Sequence, residues 1–258
     1  MGHLQLGDLP RTYHWQDVIS LYEYAPDAPD LAAATLEAAQ KGLELASREP
    51  GVKFTVWLMT QVTLAAKEKD FAEALKKLGI DVPTRPGLFD ITGGLTTRID
   101  AYVDSTAART DTSEMCQMAA VETLSRHCME QGRSLFGSGP EEVQDAVKEL
   151  STKTNFARFS RDFFSRFIYR YINYFLSRET SKHVGPGGSL PNIDAHTAFN
   201  EALKLHCRES AKIVQDFAGG WYSKTNYEYG ITPEKAGNFA HVALKKLASE
   251  LKREREKS

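Results

Sequence analysis

Thr154-Asn-Phe-Ala-Arg-Phe-Ser-Arg-Asp-Phe-Phe-Ser-Arg-Phe-Ile-Tyr-Arg-Tyr-Ile-Asn-Tyr-Phe-Leu-Ser-Arg-Glu-Thr180 is the stretch that decides the fold. Placed on a helix, Phe156, Phe163, Phe164, Phe167, Ile168, Tyr171, Ile172, Tyr174 and Phe175 cover about half of the circumference. A helix that apolar belongs at the centre of a bundle, so the chain is expected to be an all-α, irregular multi-helix bundle around it. Arg158, Asp162, Ser165, Arg166, Tyr169, Arg170 and Asn173 form the remaining polar stripe. Its Arg158–Asp162 and Asp162–Arg166 pairs at i,i+4 suit a solvated or groove-lining strip. Arginines between rings also suit single-stranded nucleic acid, the rings stacking on bases and the cations following phosphates.

Outward from this segment, helical periodicity continues. Asp30 can cap a helix over 31–48 with Leu31, Leu36, Ala39, Leu43 and Ala46 on one face. Residues 52–66 alternate like a strand at Val52, Phe54, Val56 and Leu58, yet Phe54, Trp57, Leu58, Gln61 and Ala65 fit a helix. No partner strand of matching quality is nearby, and helix is the reading taken. A short helix with Phe71, Leu75 and Leu78 stops at Gly79. The Asp81–Gly87 turn then divides an acidic N-terminal region, 1–84, from a main bundle, 88–258, unless 1–258 is one continuous domain. Further helices are expected after Gly93-Gly94, over 113–136 ending at Gly137, over 140–150 behind Pro140, and from Asp194 to Gly219-Gly220. A last helix starts at Thr232-Pro233 and frays into the charged end at Lys257. The count is eight or nine helices.

Glu-x-Leu-x-x-His-Cys-x-Glu occurs twice, as Glu122–Glu130 and as Glu201–Glu209. Adjacent His and Cys point about 100° apart on a helix, so a dipeptide cannot easily aim both at one ion. His127 with Glu130, and His206 with Glu209, do share faces. Helical di-iron sites use the opposite order, Glu-x-x-His, with further carboxylates. Cys128 falls on a stripe with Met118, Val121, Leu124, Leu135 and Phe136; Cys207 falls on one with Phe199, Leu203, Val214 and Phe217. A free Cys packs as a small apolar group. The repeat therefore reads as one helix design used twice, and no metal or other cofactor is expected.

Gly219-Gly220-Trp221-Tyr222-Ser223-Lys224-Thr225-Asn226-Tyr227 reads as a loop after a helix end. Aromatic side chains with polar tips are favoured at binding surfaces. Trp221, Tyr222, Lys224, Asn226 and Tyr227 are candidate contacts, as are Arg158, Arg166 and Arg170. The competing reading has Trp221 and Tyr222 folded back to seal the bundle.

Net charge is only −2, so no global field points to nucleic acid or acidic lipid. Locally, residues 1–50 carry three basic and eight acidic side chains, and residues 153–182 carry seven basic and two acidic. No stretch approaches the roughly 18 apolar residues of a membrane span, and no signal-peptide pattern opens the chain. Three Cys without a Cys-x-x-Cys give no disulfide framework, and the cytosol is the expected location. Phosphate-loop, dinucleotide, zinc-protease and serine-hydrolase motifs are absent. The expectation is a non-enzymatic helical subunit that docks onto other proteins in a cytosolic assembly, without membrane contact. The alternative is a nucleic-acid-binding module using 154–180 and the Gly-Gly-Trp segment. A metal-dependent helical enzyme is a third, remoter reading.

Overall fold

The computed structural model describes residues 9, 11–23, 27–106, 109–131 and 139–255. Among them the chain forms twelve α-helices and no strand. In order these are α1 (Tyr13–Glu23), α2 (Ala28–Ala38), α3 (Gln40–Ala46), α4 (Pro50–Ala65), α5 (Phe71–Lys77), α6 (Leu88–Ser105), α7 (Asp111–Gln131), α8 (Pro140–Glu149), α9 (Lys153–His183), α10 (Ile193–Ser210), α11 (Lys212–Tyr229) and α12 (Pro233–Arg255). Buried apolar side chains from Leu9 to Leu251 form one cluster, drawn from both sides of the Asp81–Gly87 turn. The aromatic helix α9 packs against α7, α10 and α11, and also touches α1, α2 and α12. Its Phe159, Phe163, Phe164 and Phe167 are fully buried.

Twelve helices replace the expected eight or nine for three reasons. One is α1, which has no acidic residue in its first turn and no basic residue in its last, so its ends carry no charge signal. A second is the break at Ala39, which divides 31–48 into α2 and α3 although neither Gly nor Pro marks it. The third is Ala211, which ends α10 and opens α11. The N-cap of α2 is also Asp27, not Asp30, and Pro29 lies in the first turn.

Two glycine pairs expected outside helices lie inside them. Gly93-Gly94 sits within α6, where a Cβ on Gly94 would come within 2.8 Å of Ile80 Cγ2 and 2.9 Å of the Asp81 carbonyl oxygen. Gly219-Gly220 sits within α11, where a Cβ on Gly219 would overlap the Lys153 carbonyl oxygen. These glycines let two backbones approach closely, a role that local sequence does not distinguish from helix termination.

Residues 50–65 are helical, as read, and Phe54 stacks on Tyr102 of α6 with ring centroids 3.9 Å apart. Cys128 and Cys207 are both buried, whereas Met118, expected on the same apolar stripe as Cys128, is 47% exposed. Leu135, Phe136 and Gly137 lie outside the described residues, as does the Lys257 end.

Candidate functional site

The polar stripe of α9 is the floor of a cleft whose walls are α7 and α10, the helices that carry the two copies of the repeat. Glu122 and Arg126 come from α7; Ser165, Arg166, Tyr169 and Arg170 from α9; Glu201, Lys204, Leu205 and Arg208 from α10. Each helix contributes at spacings of three or four, which keep residues on one face. The cleft, open to solvent, offers about 600 Å³, within the usual range of roughly 300–1,000 Å³ for ligand sites.

Contacts along α9 fix the direction of both walls. On α7, Glu122 reaches Arg166 and Arg170, while His127, further along, reaches Asp162. On α10, Lys204 lies over the Tyr169 ring, while Glu209 meets Arg161. Moving forward along either wall means moving backward along α9. The two copies of the nine-residue pattern therefore run parallel to each other and antiparallel to α9, at the same level of it. Their shared Leu and Cys positions, Leu124 with Leu203 and Cys128 with Cys207, are buried. Their first glutamates, Glu122 and Glu201, face the cleft.

Five cations line this space against two carboxylates. Glu122 is shared: its Oε1 lies 3.1 Å from Arg166 Nε and its Oε2 accepts from Arg170 Nη2 at 2.7 Å. Burial would raise the Glu122 carboxyl, but Arg170 and Arg166 hold it below the ordinary glutamate range. Lys204 donates to Glu201 at 2.7 Å, which raises the ammonium. Arg126 pairs with Glu130 at 2.7 Å, just outside the cleft. Arg208 is exposed and has no ion-pair partner among the described residues. At the lower end, His127 Nε2 is 2.9 Å from Asp162 Oδ2 and its ring meets Phe159 edge-on. The Asp162 carboxyl is raised by burial but lowered further by His127, Arg166 and Arg208, and ends below its ordinary value.

Of the eight candidate contacts named from sequence, Arg166 and Arg170 line the cleft, together with Ser165 and Tyr169 of the same polar stripe. Arg158 is exposed on α9, two turns before Arg166. The Gly-Gly-Trp segment is the C-terminal half of α11 and not a loop. Trp221 is half-buried and stacked on Phe239 with centroids 4.1 Å apart, and Tyr222 is buried against Phe156 at 3.9 Å. Both rings join α11 to its neighbours, because Gly219 lets that helix continue and carry them inward. Lys224 is exposed, Asn226 half-buried and Tyr227 91% exposed, on later turns of the same helix.

The residues missed were Glu122, Arg126, Glu201, Lys204 and Arg208. Their signal was present: each lies within a copy of the repeat, at a position other than its buried Leu and Cys. His127 turns to Asp162, and no group of three or more His, Cys, Asp or Glu among the described residues is arranged to hold a metal ion. The thiols of Cys116, Cys128 and Cys207 are all buried, and burial pushes each upward, Cys128 to about 12. No described helix is long and apolar enough to cross a membrane. No family model, curated protein or solved structure matches the chain.

Proposed function

We propose that this chain is a non-catalytic helical docking subunit of a cytosolic multi-protein assembly, receiving an anionic segment of a partner protein in the α7–α9–α10 cleft. In this reading α9 is the central member of the bundle, with its aromatic face holding the core and its polar stripe meeting the partner. The observation that carries the reading is five cations converging on one open, helix-walled groove in a chain whose net charge is −2. Such local complementarity steers and orients a partner without a global field. Leu205, 59% exposed on the wall, and the half-buried Tyr169 add apolar surface beside the charges.

Nucleic acid is the second reading, favoured by Arg166, Tyr169 and Arg170 lying side by side. Against it, Glu122 and Glu201 interrupt the cationic track, and Arg158 and Lys224 do not line it. A photo-crosslinking residue in place of Leu205, introduced in cells, separates the two. A protease-sensitive adduct that is lost in an Arg170→Glu background supports docking. A nuclease-sensitive adduct shifts the assignment to nucleic acid. If position 205 crosslinks no more than exposed Phe89, the cleft is not a docking site.

A further inference from the structure

Within the cleft one carboxylate serves two guanidiniums. Glu122 accepts from Arg170 and lies against Arg166, yet the Nε hydrogens of both arginines are buried without a well-directed acceptor among the described residues. The fork thus has more donors than Glu122 has suitably placed oxygens. The charge count points the same way. The five lining cations are opposed by Glu122 and Glu201 inside and by Glu130 and Asp162 at the margins. One positive charge is left over.

We propose that the cleft binds a phosphomonoester, a phosphorylated serine or threonine on the partner protein, and that Glu122 is the resident carboxylate it displaces. This rests on the docking reading above. An incoming single carboxylate would only exchange like for like, and it competes with a carboxylate tethered in place at high effective concentration. A phosphomonoester carries about −1.5 to −2 charge near neutral pH and three strong acceptor oxygens. It can meet Arg166 and Arg170 together, and the same cleft offers Arg208, whose guanidinium has no ion-pair partner among the described residues. Arginine forks suit such planar, paired recognition better than ammonium groups do. The side chain of Glu122 is 49% exposed on the α7 wall, so it has solvent to turn into once displaced. A phosphodiester backbone lacks the second charge and meets Glu201 on the opposite wall.

The whole chain is tested by fluorescence polarisation against degenerate nonapeptide libraries whose central residue is phosphoserine, serine or glutamate. Inorganic phosphate and a single-stranded RNA 12-mer are added as competitors. The phosphoserine library should bind at least about tenfold more tightly than the glutamate library. Glu122→Gln should tighten the phosphoserine arm severalfold by removing the competitor, and Arg170→Gln should abolish it. Arg208→Gln, at an exposed position, gives a second loss-of-binding variant should Arg170→Gln fail to fold. Equal binding of the phosphoserine and glutamate libraries overturns the phosphate assignment and leaves docking standing. Displacement of the peptide by RNA in preference to excess unlabelled phosphopeptide overturns it too, as does weaker binding by Glu122→Gln. Binding in no arm also removes the proposal, and the crosslinks from position 205 then show whether docking falls with it.

Discussion

Tyr222 and Thr63 meet through their hydroxyls, 3.0 Å apart, and so join α11 to α4 across the core. The Tyr222 ring lies flat on Phe156 of α9, and burial pushes its phenol up to about 12. Three helices thus converge on one side chain. Tyr222→Phe keeps the ring and loses the hydroxyl, and Thr63 still donates to the Thr60 carbonyl oxygen. The expected cost is about 1 kcal/mol. Tyr222→Ala removes the ring as well and should cost about 3–5 kcal/mol. Urea unfolding of both variants checks this; near-equal costs would show that the ring does not hold α11 in place.

The neighbouring glycines of α11 give a paired test of helix approach. Gly219→Ala drives a Cβ into the Lys153 carbonyl, whereas Gly220→Ala meets nothing within 4 Å. The first should destabilise by about 1–3 kcal/mol, as overpacking does. The second should be neutral or stabilise by up to about 1 kcal/mol, because Ala favours the helix. Thermal melts moving the same way for both substitutions would contradict the close contact between α11 and the start of α9.

Asp162 makes acid stability dependent on one half-buried pair with His127. Its folded carboxyl sits below the ordinary value of 3.8, since His127, Arg166 and Arg208 outweigh the effect of burial. A group lowered in this way stabilises the fold above the ordinary value, and the contribution is lost as pH falls through the folded one. Stability should therefore drop below about pH 4. Asp162→Asn should be less stable near neutrality and show a shallower acid limb. Parallel acid limbs in denaturant titrations would rule out that linkage.

Cys116, Cys128 and Cys207 should be inert to a thiol reagent in the native protein at about pH 8, since the thiolate is the reactive form and burial opposes it. All three should react once the chain is unfolded in denaturant. Fast labelling of any of them in the native state would mean that the core around the repeat opens.

Much of the architecture was legible because the apolar spacing of 154–180, 140–150 and 233–251 has one consistent helical solution. What escaped depended on partners distant in sequence. Gly94 and Gly219 resemble terminators until Ile80 and Lys153 are seen against them. Ala39 and Ala211 interrupt helices without any residue that marks a break. Arg166 and Arg170 stood out as a basic stripe, but the oxygens they face belong to Glu122, more than forty residues earlier. Trp221 and Tyr222 attracted a surface reading through their amphipathic rings, and α11 turned those rings inward.

The repeat divides labour by position along a single nine-residue word. Its Leu and Cys letters face the interior, while Glu122, Arg126, Glu201, Lys204 and Arg208 face outward into the cleft. The distance between the walls is thus set by apolar anchoring, and the charges they present can be rewritten without moving them. A related chain could keep this scaffold and change what it recognises by altering only the outward letters. For an engineer, those five positions form an editable panel on a fixed frame.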